Sequence, residues 1–164
     1  MSRDIDKQIV KYLGDAHAME MQSMELLEKA IEIAGDVQLA QLYRGHLNDT
    51  REHERYVKQR LEAMGETTST AKNLAGKAGA MGLGMLAQAM PDTPAKLAGV
   101  AFAYENFEVA AYKMLRKVAE TAKDEETLSM CDRIIPVEQQ AAALIEENLD
   151  LAVQRTLEET APHA

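Results

Sequence analysis

Residues 97–115, LAGVAFAYENFEVAAYKML, set Leu97, Ala101, Tyr104, Glu108, Ala111 and Leu115 at alternating steps of three and four. A helix of 3.6 residues per turn gathers such positions on one face. That face is apolar except for Glu108 near its middle, with Glu105 one turn earlier and somewhat off-centre. Three other segments share the pattern. Leu13, His17, Glu20, Met24, Leu27 and Ile31 form the first stripe. Leu39, Leu42, His46, Asp49, His53, Val57, Leu61 and Met64 form the second, with Thr50 near its edge. Leu128, Cys131, Ile135, Glu138, Ala142, Ile145, Leu149 and Ala152 form the fourth. The chain is therefore read as all-α.

An ionised carboxylate on an apolar face is costly unless something positive compensates it. Glu20, Asp49, Glu105, Glu108 and Glu138 all fall near the middle of their helices, so packing the four faces together would bring them to one layer. A metal is the first compensation to consider. Oxygen-rich ligands with one or two imidazoles suit iron or manganese, and zinc can occupy such sites as well. Two other arrangements stay open. His17, His46 and His53 could pair with the acids in a metal-free cluster, with Tyr43, Tyr56, Tyr104 or Tyr112 adding hydroxyls. Alternatively, individual helices could be rotated so that an acid, Asp49 or Glu105 first, faces water.

Local signals delimit the helices at about 4–34, 37–64, 94–121 and 125–158. Gly35 suits a left-handed helix end, Asp36 can cap the next helix, and Asp92-Thr93-Pro94 is a strong start signal. Pro136 lies within the fourth helix, where a kink or bulge is expected. The connector at 65–93, with glycines at 76, 79, 82 and 84 and room for a short helix around residues 80–89, is long for a loop. Two antiparallel hairpins joined by such a connection make a ferritin-like four-helix bundle, because the crossover lets the second and third helices run parallel. Residues 1–160 read as one domain, with 161–164 as a tail.

The blocks His17-Ala18-Met19-Glu20-Met21-Gln22, His46-Leu47-Asn48-Asp49-Thr50-Arg51-Glu52-His53, Tyr104-Glu105-Asn106-Phe107-Glu108-Val109-Ala110-Ala111-Tyr112 and Val137-Glu138-Gln139-Gln140 resemble the YciE/YciF family of bacterial ferritin-like proteins. The resemblance spans roughly residues 8–155. It implies a ferritin-like bundle, commonly a homodimer, with a dinuclear metal centre and a part in bacterial stress responses. On that footing Glu20, Asp49, His53, Glu105, Glu108 and Glu138 are the expected ligands of two metal ions per chain, with iron favoured. Glu20 and Glu138 would be terminal ligands, Asp49 and Glu108 bridges, and Glu105 an extra acid free to move. The chemistry implied is reduction of O2 or peroxide, or iron handling, with an unidentified electron donor. A non-catalytic scaffold with a degenerate or metal-free site is the alternative.

Two departures from the wider ferritin-like pattern matter. Helices two and four usually carry Glu-x-x-His, but Thr50 stands three residues before His53, and Ala141 and Ala142 follow Glu138 where a histidine is expected. The nitrogen ligands must come from His53, with His46 or His17 in reserve. The single cysteine, Cys131, rules out a Cys-x-x-Cys relay and an internal disulfide framework.

Composition closes off other classes. The 164 residues carry a formal net charge of −9 with no basic cluster, which argues against a nucleic-acid partner. No run approaches the roughly 20 apolar residues of a membrane span, and the N-terminus lacks a secretory h-region, so cytoplasmic residence is expected.

Overall fold

The computed structural model describes residues 2–68 and 92–160, with backbone alone for residues 2 and 3. Five helices follow one another among them: α1 (Ser2–Ile33), α2 (Val37–Ala63), α3 (Pro94–Ala122), α4 (Glu125–Glu147) and α5 (Leu149–Thr160). The short helix expected around residues 80–89 and the tail at 161–164 lie outside the described residues.

Each hairpin turn is set by local chemistry. Gly35 takes φ +65 after α1, a region where side chains clash with the backbone. Asp36 then caps α2 by accepting from the backbone N–H groups of Gln38 at 2.7 Å and Leu39 at 3.3 Å. Its carboxylate also meets Arg155 of α5 at 2.9 Å. At the other hairpin Lys123 adopts φ 60, and Asp124 accepts from Thr127 N–H at 3.1 Å. Arg60 of α2 reaches this turn, donating to Asp124 and Glu126 at 2.8 Å each and to Thr127 Oγ1 at 2.9 Å. Thr93 caps α3, and Pro94 occupies the first helical turn, where its missing donor is not needed.

The core shows how the helices run. At one end Ile9, Leu13 and Met19 of α1 pack with Val57 and Leu61 of α2, Tyr104, Tyr112 and Leu115 of α3, and Cys131 and Ile134 of α4. At the other end Leu27 and Ala34 meet Leu39, Tyr43, Leu97, Ala101, Ile145 and Ala152. Helix α1 is thus antiparallel to α2 and α3, α2 is antiparallel to α4, and α2 and α3 run parallel. The chain must therefore return the length of the bundle between Ala63 and Pro94, about 40 Å for a 27-residue helix at 1.5 Å per residue. This is the expected crossover topology.

The fourth segment departs from expectation in one respect. The chain stays helical through Pro136, and the single fourth helix expected is divided at Asn148. The Asn148 side chain donates to Leu144 O at 2.8 Å and accepts from Gln38 Nε2 at 2.8 Å, while its backbone N–H bonds Ile145 O at 3.0 Å. A side chain that competes for local backbone groups and is anchored from α2 ends the helix there.

Candidate metal centre

Between the two apolar layers lies a polar one. Glu20 and Ser23 enter it from α1, His46, Thr50 and His53 from α2, Glu105 and Glu108 from α3, and Glu138 from α4; all are buried, and the four glutamates are 0% exposed. His46 Nε2 lies 2.7 Å from Glu105 Oε2 and 3.3 Å from Glu138 Oε2. His53 Nδ1 lies 2.6 Å from Glu138 Oε1 and 3.9 Å from Glu20 Oε1. One ligand atom from each of His46, Glu105, Glu108 and Glu138 can be chosen so that all lie within 4.8 Å of one another, and the same holds for Glu20, His53 and Glu138.

Only part of this layer is satisfied by hydrogen bonds. Tyr112 donates to Glu20 Oε1, Ser23 to Glu108 Oε2 at 3.3 Å, and Thr50 to the backbone oxygen of His46 at 3.0 Å. Glu20 Oε2, Glu105 Oε1, Glu108 Oε1, both oxygens of Glu138 and Nδ1 of His46 and His53 are buried with no hydrogen-bond partner. Glu138 approaches both rings closely enough, at 3.3 and 2.6 Å, to make charge contacts with each. Unpartnered buried carboxylate oxygens are rare in folded proteins because each costs its full desolvation. A closed, metal-free network would satisfy them; the buried oxygens and ring nitrogens left over beside the His46–Glu105 hydrogen bond at 2.7 Å fit a cation.

Without a cation the groups hold protons in an unusual way. Burial and the nearby Glu138 push Glu20 well above the ordinary carboxyl range, and burial with the nearby Glu20 does the same to Glu108. Burial also raises Glu105, against the pull of His46. Burial alone would deprotonate His46, but Glu105 and Glu138 hold its proton up to about 10. Glu138 goes the other way: burial would raise it, yet His46 and His53 bring it down to about 2.

Five of the six expected ligands, Glu20, His53, Glu105, Glu108 and Glu138, converge in this layer. Asp49 does not; its side chain is 52% exposed and stands 3.9 Å from His46 Nδ1. A stripe through His46 and His53 admits either residue 49 or residue 50 between them. The buried set Leu39, Tyr43, His46, Thr50, Val57 and Leu61 centres the face on Thr50, and Asp49 lies about 100° away. His46 takes the inward place instead. His17 stays outside, half-buried and 2.9 Å from Glu54. Tyr112, which holds Glu20, closes the Tyr104–Tyr112 block and is one of the four tyrosines that could add a hydroxyl, whereas Ser23, which holds Glu108, carries no distinctive motif beyond following Glu20 by three residues.

The family model described as "Domain of unknown function (DUF892)" matches residues 5–158. The chain belongs to this family. Solved structures agree with the DUF892 assignment. A Xanthomonas campestris protein is 25% identical with a TM-score of 0.78, covering 95% of this chain and 97% of that one. The Escherichia coli stress protein YciF is 19% identical with a TM-score of 0.68, covering 92% and 96%. A dodecameric thioferritin, the bacterioferritin-related protein of Bacteroides fragilis, is 15% identical with a TM-score of 0.73, covering 94% and 91%. The resemblance to YciE/YciF ferritin-like proteins is borne out, and this DUF892 chain has the ferritin-like fold. Among its described residues no helix is long and apolar enough to cross a membrane.

Proposed function

We propose that the buried layer holds two divalent cations, iron by preference and manganese or zinc by competence, for reduction of O2 or peroxide or for iron handling in a bacterial stress response. The observation that carries this is the set of buried, unpartnered ligand atoms from four helices. His46, Glu105 and Glu108 serve one cation, Glu20 and His53 the other, and Glu138 both. Four carboxylates match two divalent charges, with both imidazoles neutral, so the loaded layer carries no net charge. Two imidazoles from α2 stand in for the usual one each from helices two and four.

Bound iron would supply the electrons for the chemistry. The chain supplies the setting: Tyr112 fixes one oxygen of Glu20, Ser23 restrains Glu108, and apolar layers above and below restrict water. With Cys131 as its single, buried cysteine, the chain must take replacement electrons from an external donor. Cytoplasmic residence and a homodimer complete the proposal.

Elemental analysis of protein purified without added metal tests it. Close to two iron or manganese per chain, with a charge-transfer absorption appearing on oxidation, is the expected result. Folded full-length chain that takes up none even after anaerobic ferrous addition would leave only a scaffold. Asp49→Asn supplies an internal check. Since Asp49 is solvated, the variant should keep both cations with affinity changed by less than about threefold, under 1 kcal/mol. Loss of a cation in isothermal titration of D49N would return Asp49 to the ligand set.

A further inference from the structure

We infer that the two halves of the centre are unequal: His46, Glu105, Glu108 and Glu138 hold a resident cation, while Glu20, His53 and Glu138 hold a weaker, exchangeable one. This rests on the dinuclear proposal above. The first half offers four ligands, three of them carboxylates, drawn from α2, α3 and α4. Glu105 and Glu108 each present a buried oxygen with no partner, and His46 already stands 2.7 Å from Glu105. The second half offers three ligands, two of them carboxylates. There Tyr112 engages Glu20 Oε1, so Oε2 is the open oxygen, and His53 stands 3.9 Å from the nearer Glu20 oxygen.

Charge count and shape act in the same direction. One further carboxylate in a buried layer strengthens attraction for a cation. Whichever cation arrives second must share Glu138 and meet the repulsion of the first. Filling is therefore ordered, and the Glu20 and His53 half is where a divalent cation enters and leaves.

Cobalt(II) provides the probe, titrated anaerobically into chelator-stripped full-length chain and followed by absorbance and calorimetry. Two steps differing at least tenfold in Kd are expected. E20Q should lose the weaker step and keep the tighter, whereas E105Q should weaken the tighter step at least tenfold. Circular dichroism verifies folding, and Glu20→Asp, which keeps the charge but withdraws it, should weaken the second step alone. Two wild-type steps of equal Kd, or loss of the tighter step in E20Q, would overturn the inequality while leaving a dinuclear centre standing. No cobalt uptake by wild type would overturn the centre itself.

Discussion

Glu138→Gln should abolish binding of the second cation and weaken the first by at least tenfold, about 1.4 kcal/mol or more. Glu138 is the one acid common to both ligand groups. Its removal leaves His46, Glu105 and Glu108 on one side and only Glu20 and His53 on the other. A neutral amide can neither bridge two cations nor offset their repulsion. The same substitution reaches the metal-free protein, because Glu138 is the acid that stays ionised beside both imidazoles. Breaking a buried charge contact by removing one partner costs on the order of 3 kcal/mol, since the remaining charge stays buried. Denaturant unfolding in chelator should show that loss, and calorimetric titration the loss of metal. If E138Q binds two cations with wild-type affinity, Glu138 is not the shared ligand.

Sequence pattern was enough for the four-helix frame and the crossover, because both rest on signals that tertiary context rarely overrides. Gly35 and Asp36 close the first turn, Thr93 and Pro94 open α3, four apolar faces demand a common core, and the long connector selects the crossover. The inward acids Glu20, Glu105, Glu108 and Glu138 were legible for the same reason. The α2 ligand set was not fully legible, because the 3.6-residue period leaves residues 49 and 50 equally near a line drawn through His46 and His53. Only the position of the neighbouring helices chooses between them. The break at Asn148 was hidden too: it depends on Gln38, a residue 110 positions away.

Chelator-stripped protein should lose stability as the pH rises from about 6 to 10, while metal-loaded protein should hold or gain. His46 is raised in the folded chain from 6.5 to about 10, so its contribution is complete below the unfolded value and is lost as pH climbs through the folded one. Glu20 and Glu108, raised by burial and by neighbouring acids, act with the same sign: the unfolded chain releases their protons above 4.5 while the folded chain retains them. Glu138 has the opposite sign. Lowered from 4.5 to about 2, it stabilises above 4.5, and that contribution is lost as pH falls toward 2. Metal-free stability should therefore peak on the acid side of neutrality. Cation binding needs these ligands deprotonated and so releases protons, which makes affinity grow as pH rises. At about 1.4 kcal/mol per proton per pH unit, displacement of the His46 proton alone should widen the gap between loaded and stripped protein by on the order of 3 kcal/mol between about pH 6.5 and pH 9. For a chain of this size that is a difference of roughly 6–12 °C in Tm. Thermal unfolding with chelator and with saturating manganese(II), compared across that range, measures it. Parallel curves would mean that the protons counted here are not displaced by the cation, and that the converging acids do not bind it.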